Sequence, residues 1–187
     1  MKLLNEITNP NGLLEFMRNN IKYGYINNDN KLYTDVNSKE FSDNWCDCIV
    51  QDYEGVLKTG VGTCWEQVEL ERYWFYKNNY KFKTYFVCYD IMEEHSSHTF
   101  LVYEENNKYY WFEFAFSMYQ GIHKYDNIDL LLKDVISKSI KYNKEYLKIK
   151  DKLEDKVVLY EYPKPKKNCS VDEFYNNIKN DGKLLDI

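Results

Sequence analysis

The spacing of apolar residues changes period along this chain. Leu13, Leu14, Phe16, Met17 and Ile21 recur at helical spacing behind Asn9-Pro10-Asn11-Gly12, a cap with proline at the first helical position, and Gly24 closes the element. Residues 26–43 are rich in Asn, Asp and Ser and hold no sustained period, which predicts loop or short extended pieces with a turn at Asn27-Asn28-Asp29-Asn30. Residues 45–57 predict one or two short helical turns. Gly60-Val61-Gly62 then interrupts the chain before a strong helix from Cys64 to about Asn78. Beyond Asn78-Asn79 the pattern becomes β-branched and aromatic, predicting strands over 80–89, 98–103 and 109–114. Asn106-Asn107 is the turn between the last two, because Asn tolerates the positive φ of a tight hairpin. Asp126 or Asn127 caps a helix carrying Leu130, Leu131, Val135, Ile136 and Ile140. Residues 157–162 form a further strand closed by Pro163 and Pro165, and Ser170-Val171-Asp172-Glu173 is a capping box opening a helix to about Lys179. Helices and antiparallel strands that segregate, without βαβ alternation, define an α+β fold. No repeat, linker or boundary divides residues 1–187, so one domain is expected.

Composition narrows the function classes. Lys and Arg total 25 against 30 Asp and Glu, a net charge of −5, which argues against a protein that coats nucleic acid by neutralising phosphates. No run of about 18 apolar residues suggests a membrane span, and Met1-Lys2-Leu3-Leu4 leads directly into Asn5-Glu6 without a signal core, so a cytoplasmic protein is expected. Tyr is unusually frequent, 19 beside 10 Phe and 4 Trp, and such a core needs partners for its hydroxyls. Five cysteines, an odd number, suit a reducing compartment with free thiols.

Chemistry concentrates between Gly60 and Phe116. Cys64 follows Gly60-Val61-Gly62-Thr63 at the first turn of the predicted helix, where unpaired amides and the helix dipole favour a thiolate and can donate to an oxyanion. The alternative is a small apolar residue at a tight helix start. A base must reach the sulfur, and the chain holds only His95, His98 and His123. His98 opens a strand 34 residues downstream of Cys64. A two-residue turn at Asn106-Asn107 pairs Glu105 with Lys108, so opposed residues sum to 213 and Glu113 falls diagonally beside His98 on the same face. A three-residue loop would send Glu113 to the other face. Glu113 also sits among Trp111, Phe112, Phe114 and Phe116, a setting in which a carboxylate needs a partner.

Gly62-Thr63-Cys64-Trp65-Glu66-Gln67, His98-Thr99-Phe100-Leu101-Val102-Tyr103 and Tyr109-Tyr110-Trp111-Phe112-Glu113 together resemble the core of the transglutaminase-like superfamily of cysteine peptidases and acyltransferases. The likeness spans roughly residues 58–118. It implies a papain/transglutaminase-like core in which the catalytic helix packs on an antiparallel sheet, with helices toward both termini. It further implies Cys64 as nucleophile, His98 as general base and acid, and Glu113 as the orienting carboxylate, acting on an amide bond of a peptide or protein substrate without metal or organic cofactor. Two departures stand out. Glu113 replaces the family's usual Asp, and Lys58 and Thr59 stand where papain-type enzymes carry an oxyanion-binding glutamine, leaving the second oxyanion donor unassigned. Arylamine acetyltransferases share a similar triad, but Val61-Gly62-Thr63 replaces their Arg-Gly-Gly. The competing function is a non-catalytic peptide- or protein-binding module that keeps the fold.

Other features carry less. Cys46-Asp47-Cys48 is one residue short of a zinc pair. His95 is read as an exposed loop histidine or a residue at the cleft mouth, Glu66 as an ordinary first-turn acid, and Trp65, Trp74, Phe75 and Trp111 as core rings. Tyr119 and His123 follow the hairpin and are candidates to close over the site. Lysines over 138–152 alternate with acids as a solvated face.

Overall fold

The computed structural model describes residues 2–89, 97–145 and 153–186. The first part of the chain forms α1 (Lys2–Asn5), α2 (Pro10–Asn20), β1 (Lys22–Tyr23), β2 (Tyr25–Asn27), β3 (Leu32–Tyr33), α3 (Lys39–Asp43), β4 (Cys48–Val50), α4 (Tyr53–Thr59) and β5 (Val61–Gly62). There follow α5 (Cys64–Lys77), β6 (Lys81–Tyr89), β7 (Ser97–Glu105), β8 (Lys108–Glu113) and β9 (Gly121–Tyr125). The chain ends in α6 (Ile128–Glu145), β10 (Val157–Glu161), β11 (Cys169–Ser170), α7 (Val171–Asp181) and β12 (Lys183–Leu185). The fold is α+β. A six-stranded antiparallel sheet runs in the order β12-β10-β6-β7-β8-β9, and four short strands form a second, β11-β4-β2-β3.

Capping chemistry sets the helix boundaries. Asn9 accepts from the Gly12 amide at 2.9 Å ahead of Pro10, Asn127 Oδ1 accepts from the Leu130 amide at 2.9 Å, and Ser170 and Glu173 form a reciprocal capping box. At the β7–β8 turn Asn106 and Asn107 both adopt the left-handed conformation (φ 52° and 58°), the geometry of a two-residue hairpin loop. The turn pairs Glu105 with Lys108, and the ladder runs in that register to Leu101 opposite Phe112.

The pleat then divides the sheet's two faces. Leu101, Tyr103, Phe112 and Phe114 pack against Leu70, Trp74 and Phe75 of α5 and, beyond them, Leu13, Leu14 and Met17 of α2. Phe100, Val102 and Trp111 point the other way, under Leu131, Leu132, Val135 and Ile136 of α6. A third cluster joins Trp65 and Val68 of α5 to Phe86 of β6 and Phe174 and Ile178 of α7. Several aromatic polar atoms find partners inside: Tyr89 bonds Ser139 at 2.8 Å, and the Trp74 indole donates to the Ile7 carbonyl at 3.3 Å.

Two expectations are corrected and two are filled in. Helix α2 stops at Asn20, and Gly24 instead separates β1 from β2. Residues 45–57 hold the two expected helical turns, a 3-10 turn (Trp45–Asp47) and most of α4, with the unexpected β4 between them paired to β2 and β11. The turn expected at Asn27-Asn28-Asp29-Asn30 is present and closes a short hairpin in which Asn27 Oδ1 accepts from the Asp29 and Lys31 amides. Lys138 is not simply solvated, since it pairs with Asp134 and lies over the Trp111 and Tyr119 rings at 5.5 and 5.4 Å. Among the described residues no helix is long and apolar enough to cross a membrane.

Candidate active site

The approach to Cys64 is bonded at each step. Gly60 ends α4 in the left-handed conformation (φ 67°, ψ 19°), which favours a residue without Cβ, and its amide donates to the Val56 carbonyl. Val61 and Gly62 pair in parallel with Lys22 and Tyr23. Gln51 Nε2 donates to the Val61 carbonyl at 3.1 Å and Gln67 Nε2 to the Gly62 carbonyl at 2.7 Å. Glu66 folds back to accept from the Thr63 amide at 2.8 Å and from the Thr63 hydroxyl, the carboxylate half of a capping box. Glu66 is thus a buried structural acid and not merely a dipole partner. Burial raises it to about 7, while the Thr63 bonds hold it down from going further. Cys64 opens α5, so its amide is one of the helix's unpaired donors.

His98, the second residue of β7, lies beyond the last β7–β8 ladder pair, as does Glu113 at the end of β8. There the two side chains meet: His98 Nε2 donates to Glu113 Oε2 at 2.8 Å. The added methylene of glutamate, relative to aspartate, does not prevent the contact. Glu113 is 1% exposed and accepts two further N–H groups, from the Trp111 indole at 3.0 Å on the same oxygen and from the Phe116 amide at 2.6 Å on the other. Phe116 packs edge-on to the imidazole at 5.3 Å, and Phe100 lies parallel to it at 6.1 Å. With Nε2 committed to Glu113, Nδ1 is the nitrogen left to face Cys64, whose thiol is near enough to help raise the imidazole. The structure therefore joins His98 to Glu113 directly and sets Cys64 in the same neighbourhood.

The electrostatics favour a charged imidazole. Burial works against the protonated form, but the Glu113 charge and the bonds to Cys64 and Glu113 outweigh it and raise His98 to about 10. The other buried thiols sit differently. For two of them, Cys48 and Cys169, desolvation pushes the thiol far up and up to about 11 respectively. Cys64 is 6% exposed and His98 9%, so access to the sulfur is narrow. Cys46 is the exposed cysteine.

Some contributors were not evident from sequence. Trp111, read as a core ring, is buried and is also a donor to Glu113. Glu71, two helical turns beyond Cys64, is a buried acid held well above the ordinary carboxylate range, by desolvation first and then by the neighbouring Glu113 charge. His123 pairs with Trp111 across β8–β9 and donates Nε2–H to the Tyr119 carbonyl at 2.7 Å, while the Tyr119 ring meets Phe116. Both thus sit behind the triad's supporting rings and do not touch His98. His95 lies outside the described residues. No group of three or more His, Cys, Asp or Glu among the described residues is placed to hold a metal ion.

Comparison of the chain with protein-family models, with curated proteins and with solved structures returns no match.

Proposed function

We propose that this protein is a cysteine-dependent acyl-transfer enzyme on a papain/transglutaminase-like core, with Cys64, His98 and Glu113 as its triad and an amide bond of a peptide or protein as its substrate. The observation that carries the reading is one imidazole held between a helix-tip thiol and a carboxylate that takes three N–H donors. His98 Nδ1 takes the Cys64 proton, and the sulfur attacks the carbonyl carbon as the carbonyl electron pair moves onto oxygen. The Cys64 amide donates to that oxyanion. When the pair returns, the C–N bond breaks, His98 gives its proton to the leaving amine, and an acyl-cysteine remains. Glu113 holds Nε2–H toward itself, which fixes the tautomer and stabilises the imidazolium. Water or a second amine then releases the acyl group. These steps call for no metal or organic cofactor.

The test is a single turnover with p-nitrophenyl acetate followed by peptide mapping. The reading expects p-nitrophenolate release with an acetyl group on Cys64, abolished in Cys64→Ser and strongly slowed in His98→Ala. A wild-type chain that never acylates Cys64, while Cys64→Ser retains partner binding, supports the binding-module alternative instead. A glutamine peptide supplied with a primary amine separates amine transfer from hydrolysis, because only the former yields a conjugate.

A further inference from the structure

The triad accounts for one oxyanion donor, the Cys64 amide, and two are usual where a tetrahedral intermediate is held. We propose that the Tyr23 hydroxyl is the second, aimed by the β1–β5 bridge at the first turn of α5; this rests on the acyl-transfer reading above.

Tyr23 pairs in parallel with Gly62, two residues before Cys64. Amides on either side fix the pairing, Lys22 donating to the Gly60 carbonyl at 2.8 Å and Gly24 to the Gly62 carbonyl at 3.3 Å. Directly opposed residues of neighbouring strands project on the same side. A Cβ placed on Gly62 would come within 3.2 Å of Glu66 Cβ and 3.5 Å of Gln67 Cγ, so that side is the start of α5. The backbone has little room to move: a Cβ on the adjoining Gly24 would lie 2.2 Å from the Tyr33 carbonyl oxygen.

The hydroxyl's surroundings are the second argument. Tyr23 is 41% exposed, yet burial first, and then the charges of Cys64, Glu66, Tyr142 and Cys48, raise its hydroxyl well above the ordinary range. A surface tyrosine ordinarily buries its ring and leaves the hydroxyl in water. Here a part-exposed side chain has a hydroxyl on which burial and the Cys64 thiol both act. Desolvation keeps the hydroxyl protonated, so it remains a donor throughout the range in which a cysteine enzyme works. Tyr142 stands near it and packs edge-on to Phe116 at 4.9 Å, which in turn packs on His98.

In the acylation step Cys64 Sγ bonds to the carbonyl carbon and its proton passes to His98. The oxygen carrying the displaced pair accepts from the Cys64 amide and from the Tyr23 hydroxyl, and collapse expels the leaving group with its bonding pair. Alkylation by iodoacetamide uses the same thiolate and forms no oxyanion, which separates the two roles.

Tyr23→Phe keeps the ring. Expected are an unchanged rate of iodoacetamide alkylation at Cys64 and a fall of roughly 10²-fold in the single-turnover rate with p-nitrophenyl acetate, the cost of one oxyanion donor. Equal acylation rates in wild type and Tyr23→Phe overturn the proposal and leave the triad standing. Parallel losses in both reactions also overturn it, assigning Tyr23 to the thiolate itself. A wild type that alkylates without acylating at all removes the acyl-transfer reading and the proposal with it.

Discussion

Glu113→Gln tests how the triad is held. The carboxylate takes the His98 and Trp111 N–H groups on one oxygen and the Phe116 amide on the other, at 2.8, 3.0 and 2.6 Å. Glutamine offers one carbonyl oxygen and one NH₂ group. With the oxygen toward His98 and Trp111, the NH₂ confronts the Phe116 amide; reversed, it confronts the indole and the imidazole. Either way a buried donor is orphaned, costing about 1–3 kcal/mol. For a chain of this size that lowers Tm by about 2–12 °C, at about 2–4 °C per kcal/mol. The loss also depends on pH. His98 is raised in the fold from an ordinary 6.5 to about 10, so its stabilisation is complete below 6.5 and is lost as pH climbs through 10. Glu113 supplies much of that raise, so the stability gap between wild type and variant should be widest at pH 6 and narrow by pH 9. Urea denaturation followed by tryptophan fluorescence at both values reads it directly. Equal stabilities at pH 6, or a gap that widens with pH, would refute the reasoning.

Three further outcomes are expected. Asn107→Val forces a β-branched residue into φ 58° at an exposed turn and should cost about 1–2 kcal/mol in urea denaturation; no loss would mean the turn does not enforce the register. Glu66 rises to about 7 on folding, so its contribution to stability is complete below 4.5 and is lost as pH rises through 7; Glu66→Gln should remove that decline from thermal melts taken at pH 5 and pH 8, and an unchanged slope would contradict it. Trp74→Ala empties the centre of the α5–sheet core and should destabilise by about 3–5 kcal/mol, measured by the same denaturation.

The hairpin was the most legible part of the molecule. Asn-Asn between two aromatic strands specifies a loop length, the loop length specifies the register, and the register places Glu113 beside His98. Helix α5 was legible for a similar reason, since the Gly60-Val61-Gly62 interruption and the apolar period are local properties. What escaped was short or non-local. Two- and three-residue strands such as β1, β4 and β5 carry no period to detect. β9 escaped because none of its residues is fully buried, and β12 because it is a three-residue edge strand. Tyr23 could not be linked to Cys64 without the β1–β5 bridge, which joins residues far apart in the chain. The indole of Trp111 was visible as a ring, but its N–H partner two residues along the same strand emerges only where β8 ends.

The central claim rests on the state of one sulfur. In a Cys46→Ser background, which removes the exposed thiol, limited iodoacetamide at pH 6 should label Cys64 ahead of Cys48, Cys88 and Cys169, and His98→Ala should slow that labelling to the rate of an ordinary thiol. Labelling of Cys64 no faster than the other buried cysteines, or undiminished without the imidazole, would contradict the account.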